Sequence, residues 1–346
     1  MTSSPVAGIG TAVPSHVARQ RDVRQIVARL FEDRSHDLER ILAVFDHDHI
    51  HQRHFAMPLD WYGTSVSWSE QNALWERHAT ELGTQALQRA MVDADLPMDA
   101  LDCIIVVSTT GFATPSLDAR IIAMSNAPHT VQRIPVVGLG CAGGVSGLAL
   151  AGAMSSPNRC VAVVAVEVCS VTFQRNDVSK SNIVGTSLFA DGAAAVVLHP
   201  SGRGPRVHSG VSRMFPNTFD IMGWDVHNDG LQVRFRRDIP AFIRMHGHET
   251  YQQACEKWGI TPQDVNQIVV HPGGAKVLDA LTDAYGRRPD ETIHAREVLK
   301  SHGNMSSPTV LFVLERALRH GPLPGKTVLS ALGPGFSSEL CLLEQP

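Results

Sequence analysis

The sequence predicts a layered α/β fold built from two similar halves. Three observations carry this. A helix–turn–strand unit occurs twice. Short, uninterrupted apolar strands alternate with helices, the pattern of sheets buried on both faces. One Gly/Ala-rich stretch, AGGVSGLALAGAM after Leu139, reads as a helix without a single charge, so it belongs between layers and not on a surface.

The elements follow in order. Residues 20–75 are rich in His, Asp and Arg and are expected to form a helical cap. Leu74 to Asp102 reads as an amphipathic helix and a turn that feed the strand CIIVV at Cys103. From Ile243, IRMHGHETYQQACEKWGITPQDVNQ repeats that plan and feeds IVV at Ile268. The strand, glycine turn and helix around Cys141 correspond to GNMSSPTVLFVLERAL around Asn304. RCVAVVAVEVCS corresponds to GKTVLSALGPGF, and GAAAVVLHP to SELCLLEQP. Residues 201–240 break the repeat and read as irregular strands and loops. The halves are placed at 1–200 and 201–346 and are expected to share one core.

Composition excludes several classes. Of 346 residues, 43% are hydrophobic and 18% charged, which suits a large core and argues against disorder. A net charge of -4 argues against a nucleic-acid surface. The six cysteines form no CxxC pair and no metal-type spacing, and most lie in apolar runs, as small core residues of a reduced cytoplasm do. The segment DHDHIH alternates His and Asp but has no coordination geometry by itself, so no metal is expected. The start, MTSSPVAGIGTAVP, lacks the basic and apolar segments of a signal peptide, and no apolar run is long enough to span a membrane. A soluble, cytoplasmic protein is expected.

Three residues carry the chemistry. In VVGLGCAGGVSG, Cys141 sits where an apolar strand ends in glycines before a helix. Backbone N–H groups and the helix dipole favour an anion there, so a lowered thiol pKa is expected. The glycines leave room for a bulky substrate. His271, in VVHPGG, ends the strand of the second half that matches CIIVV. Asn304, in HGNMSS, stands in a turn before another apolar helix. Alone, the three also fit a packed small residue, a structural histidine and a helix cap. Together, a thiolate can accept an acyl group as a thioester. His and Asn can donate hydrogen bonds to a thioester oxygen as it becomes an enolate. The matching reaction is decarboxylative Claisen condensation, in which a malonyl thioester loses CO2 and its enolate attacks the acyl group on Cys141.

GCAGG at Cys141, HPGG at His271, GNMSS at Asn304 and GPG at Gly333, Pro334 and Gly335 resemble the type III polyketide synthases, the chalcone and stilbene synthase family. LFADGAAAVVL with Phe189 and GFATP with Pro115 match further family blocks. The resemblance implies a thiolase-type αβαβα fold, a homodimer, acyl-CoA and malonyl-CoA substrates and no cofactor. It implies that Cys141 carries the growing chain, that His271 keeps it a thiolate and polarises the malonyl carbonyl, and that Asn304 orients that carbonyl. Phe189 matches a gate between tunnel and cavity and Thr172 a cavity wall. Thr114, before Pro115, matches a residue that reaches the partner's cavity across the dimer interface, with a cis peptide as an option. The GPG loop lies behind the site.

The chain also departs from the plant pattern. Val233 stands at the second gating phenylalanine, which opens the cavity. IMGWDVHNDG, with Gly223 and Trp224, resembles the bacterial alkylpyrone and alkylresorcinol synthases, which take long acyl starters. Of the plant cations that hold CoA phosphate, Arg40 is kept, while Ala43 and His47 replace the others. Arg53 and His51 are candidates to compensate. RFRR at Arg234–Arg237 fits an acidic carrier protein or a solvated strand end. The expected function is condensation of a medium or long fatty acyl-CoA with malonyl-CoA, then closure to an alkylpyrone, resorcinol or related phenolic. The alternatives are a condensing enzyme like ketoacyl-ACP synthase III and a catalytically silent acyl-binding partner. A thiolase is disfavoured, since Cys341 lies in the closing strand.

Overall fold

A computed structural model describes residues 4–32, 38–46 and 49–345. His47 and Asp48 of DHDHIH lie outside the described residues. In chain order the strands and helices are β1 (Val6–Ala12), β2 (His16–Arg19), α1 (Gln20–Phe31), α2 (Leu38–Leu42), β3 (Gln52–Phe55), α3 (Trp68–Asp93), β4 (Cys103–Val107), α4 (Leu117–Ser125), β5 (Gln132–Val136), α5 (Gly143–Met154), β6 (Val161–Val168), α6 (Lys180–Leu188) and β7 (Asp191–Leu198). Then come β8 (Arg206–Met214), β9 (Met222–His227), β10 (Gly230–Phe235), α7 (Ile239–Lys257), β11 (Gln267–Val270), α8 (Ala275–Ala284), α9 (Ile293–His302), α10 (Thr309–Arg319), β12 (Lys326–Gly333) and β13 (Ser337–Glu344).

The two main sheets share one topology. The first has the order β1-β7-β6-β4-β5 and the second β8-β13-β12-β11. In each, a parallel pair (β4 with β6, β11 with β12) is followed toward the N-terminal edge strand by antiparallel pairs. β8 is therefore the counterpart of β1. This corrects the expectation for residues 201–240. Their alternating, charge-rich pattern is that of an edge strand, followed by the two-stranded β9–β10 ribbon. The position of β5 has no counterpart in the second sheet among the described residues.

Five layers result. α3 packs on the outer face of the first sheet, α5 and α10 lie between the sheets, and α7 and α8 cover the second sheet. The sequence explains the middle layer. In α5, glycines let backbone meet backbone: a Cβ on Gly144 would sit 2.2 Å from the Ser307 carbonyl oxygen. β6 and β7 are buried along their whole length, as continuous apolar strands must be.

The expected cap is only partly helical. β2 pairs with β3, and α1, α2 and short 3-10 turns close a small core around Phe31, Leu42, Phe45 and Tyr62. α3 starts six residues before Leu74, because Ser67 and Glu70 form a capping box that fixes its N-terminus. Among the described residues no helix is long and apolar enough to cross a membrane, and no three His, Cys, Asp or Glu side chains gather as metal ligands. All six cysteines are unpaired and buried.

Candidate active site

Cys141 sits in a 3-10 turn, Gly140–Ala142, that runs directly into α5. Gly140 has φ +48, and a Cβ there would meet Pro334 Cδ at 2.8 Å. Glycine is required on both counts. A Cβ on Gly333 would meet Ala142 and the Leu139 carbonyl, each at 2.6 Å. The GPG loop thus packs against the back of the cysteine turn. The Gly140 N–H donates to Thr109 Oγ1 at 3.2 Å, which ties the turn to the end of β4.

Asn304 enters from the other half. The Cys141 thiol donates to Asn304 Oδ1 at 4.0 Å and to Ser306 Oγ at 3.6 Å. Ser306 N–H donates to Asn304 Oδ1 at 2.8 Å, and Asn304 Nδ2 donates to the Gly273 carbonyl at 3.3 Å. These contacts orient the amide. Ser306 adopts φ +60, an uncommon conformation for a residue with a side chain. His271 ends β11 and its N–H donates to the Ser330 carbonyl at 2.8 Å. Its ring is buried, and neither ring nitrogen has a protein partner. A buried, unpartnered imidazole three residues from the α8 N-terminus is available to a ligand.

Burial governs the electrostatics. It pushes the Cys141 thiol up to about 11, with the Glu167 carboxylate adding to the effect and hydrogen bonds from Ser306 and Asn304 opposing it. It takes His271 down to about 3. Desolvation thus opposes the lowering that the helix N-terminus is expected to give. Glu167, on β6, is fully buried and pushed up to about 7. It accepts from Thr109 N–H (2.9 Å), Thr110 N–H (3.0 Å), Thr110 Oγ1 (2.8 Å) and Ser307 Oγ (2.9 Å). Glu167 and Ser306 escaped the sequence reading. GNMSS drew attention to its asparagine alone, and nothing in RCVAVVAVEVCS singled out its glutamate.

A second group of candidates lines an apolar cavity. Phe189, Val233, Thr172 and Trp224 share it with Cys169 and with Val23, Val27 and Leu30 of α1. It is narrow, with a cavity volume of about 50 Å³. Phe189 stacks on Trp224 with centroids 5.7 Å apart and tilts against Phe235 at 5.5 Å. Trp224 pairs with Val233 across the β9–β10 ribbon, beside Gly223. The Phe189 backbone also bridges to Asn304, which places cavity and catalytic amide side by side. Thr114 lies elsewhere, on a surface groove with Trp75, Val136 and Val137, and its bond to Pro115 is cis.

One expectation about charge is corrected. Arg53 is fully buried; its guanidinium donates to the Thr186 and Phe189 carbonyls (2.6 and 2.7 Å) and to Gln20 Oε1 (2.8 Å), and so cannot meet a phosphate at the surface. Burial lowers it to about 9, opposed by Asp191. In RFRR, Arg234 is bound to Asp225, and Arg236 to Asp220 and Asp238. Arg40 is exposed on α2.

The model of the chalcone and stilbene synthase N-terminal domain matches residues 2–202, and that of the C-terminal domain residues 206–344. The chain belongs to this family. It is a type III polyketide synthase, an acyltransferase on the thiolase fold. It is 35% identical to a 1,3,6,8-tetrahydroxynaphthalene synthase of Streptomyces peucetius subsp. caesius, over 98% of this chain and 92% of that one. It is 30% identical to a 3,5-dihydroxyphenylacetyl-CoA synthase of Amycolatopsis balhimycina, over 98% and 92%. The crystal structure of 1,3,6,8-tetrahydroxynaphthalene synthase from Streptomyces coelicolor A3(2) superposes with a TM-score of 0.93 at 28% identity, covering 99% of both chains. Cys141 of the first half meets Asn304 of the second, and Asn304 in turn reaches Gly273, two residues after His271.

Proposed function

We propose that this synthase extends a medium or long fatty acyl-CoA with malonyl-CoA and closes the chain to an alkylpyrone, a resorcinol or a related phenolic. The observation that carries the starter assignment is the apolar cavity beyond Phe189, which runs to α1 past Val233 and Trp224. Val233 leaves a short side chain where a phenylalanine would fill the passage. The relatives that make tetrahydroxynaphthalene and dihydroxyphenylacetyl-CoA support polyketide synthesis as the reaction class.

The steps start from a neutral thiol and a neutral imidazole. Cys141 attacks the acyl-CoA carbonyl while its proton passes to His271 and on to the departing CoA thiolate. The acyl group is then a thioester on Sγ, and free CoA leaves. Malonyl-CoA next places its thioester oxygen between the His271 ring and Asn304 Nδ2. An amide nitrogen has two hydrogens, and the Gly273 carbonyl takes one. Loss of CO2 leaves an enolate held by these donors. Its carbon attacks the Cys141 thioester, the new C–C bond forms, and the Cys141 thiolate departs. The extended chain on CoA then returns to Cys141 for the next round. The chain works as a homodimer in this reading, with Thr114 facing the partner, and its two halves are residues 1–200 and 201–346.

Mass spectrometry of products from malonyl-CoA with acyl-CoA starters from acetyl to palmitoyl tests the assignment. Products from the longer starters, lost in Val233→Phe by about tenfold relative to acetyl-CoA, are expected. Products from malonyl-CoA alone, with no response to Val233→Phe, would replace the fatty starter by malonyl.

A further inference from the structure

Behind the wall of the narrow apolar cavity lies a second, wider space. It has a cavity volume of about 220 Å³. It sits between the 3-10 turn before α3, the first turn of α3, the loop after β6 and the turn of the β9–β10 ribbon. Tyr62 and Phe173 line both cavities, and their rings meet edge to face with centroids 6.4 Å apart. The second space is also lined by Trp61, whose ring stands perpendicular to that of Tyr62 at 4.9 Å, and by Trp68, the first residue of α3. Asp229, exposed at the ribbon turn, stands at its rim.

Gln71 decides what this space can hold. It lines the cavity and is only 5% exposed. Its Nε2 donates to the Phe173 carbonyl at 3.4 Å, but its Oε1 has no partner among the described residues. A Cβ on Gly230 would stand 2.8 Å from that oxygen, so glycine in the ribbon leaves it uncovered. A buried acceptor without a donor is costly, and one that opens on a cavity suits a donor brought from outside. The remaining lining says what carries the donor. The rings of Trp61, Trp68 and Phe173 suit a flat ring, and the Asp229 carboxylate is a second acceptor. An aliphatic chain would leave Gln71 Oε1 unpaired, and a phosphate would bring acceptors to acceptors. We propose that this cavity binds a small hydroxylated aromatic ring, with one O–H donated to Gln71 Oε1. The proposal rests on the reading that the synthase closes its chains to phenols or related rings. The class of ring formed on one side of Tyr62 and Phe173 is then held on the other. Free product slows the enzyme from a place that neither substrate occupies.

Calorimetry on the full-length protein with 5-methylresorcinol tests this. Saturable binding is expected, weakened by about tenfold in Gln71→Leu and in Trp68→Ala. It should persist in Val233→Phe, which narrows the cavity on the other side of the wall. In steady-state assays 5-methylresorcinol should lower kcat even at saturating malonyl-CoA and starter. Binding that is lost in Val233→Phe but kept in Gln71→Leu puts the ring in the reaction cavity and overturns the proposal. So does a lack of saturable binding, which leaves the space to water. Binding of glucose in place of the phenol overturns it as well, since a sugar also brings hydroxyls to tryptophan. If the synthase releases only non-phenolic products while Gln71-dependent binding of 5-methylresorcinol holds, the site stands and the product reading falls.

Discussion

The two halves are one design used twice, with opposite chemistry at the equivalent corner. β5, the cysteine turn and α5 place a thiol at the start of a buried helix; in the second half the turn before α10 places an amide and a serine. At the end of β4 stand Ser108 and Thr109, which hold Glu167 and the Gly140 N–H; at the end of β11 stands His271, whose ring nitrogens hold nothing among the described residues. The first half thus spends its polar groups on fixing its own turn. The second keeps an unpartnered imidazole for the substrate. Duplication lets rigidity and availability be separated between copies that share a core.

That division can be broken most sharply at the thiol. Cys141→Ala should abolish product while slow decarboxylation of malonyl-CoA continues, since the donors that polarise malonyl belong to the second half. His271→Ala should lose both. Product analysis and CO2 release measured on the same samples check this; equal loss of both in Cys141→Ala would end the idea of separate tasks. Asn304→Ala, which removes one donor and leaves its neighbours, should lower kcat/KM by about 10²–10³-fold.

The pH dependence sharpens the contrast. With the thiol at about 11 and the imidazole at about 3, neither is charged near neutrality. Deprotonation of Cys141 then grows with pH throughout the working range. Alkylation by iodoacetamide in substrate-free protein should rise by about tenfold per unit between roughly pH 6 and 9. A rate already flat at pH 6 would show that an imidazolium–thiolate pair is the resting form. The smallest effect concerns the seam between halves. Gly144→Ala forces a Cβ against the Ser307 carbonyl and should destabilise by about 1–3 kcal/mol in denaturant unfolding, with the backbone of α10 shifting.

The repeat, the buried Gly/Ala helix and the three candidate positions were legible because each is a local pattern: period, charge or a glycine beside a reactive side chain. β8 was not, since an edge strand with half its side chains in water has no apolar run to mark it. The surroundings of Cys141 were equally hidden. Burial, which decides its ionisation, depends on residues far away in sequence, such as Glu167 and Ser306. Arg53 shows the reverse error. A charged residue in a polar stretch looks exposed, and only the fold reveals it as a buried clamp on two carbonyls.

That clamp bears on ancestry and drift. Arg53 grips the carbonyl of Phe189, and the same residue's main chain bridges to Asn304. The gate is therefore joined to the catalytic frame by backbone, while its side chain projects among Trp224, Phe235 and Val233. Substitutions among those side chains can widen or narrow what enters without moving the amide that does chemistry. In the proposed reading, starter choice and the chemical step would then be open to change independently of one another.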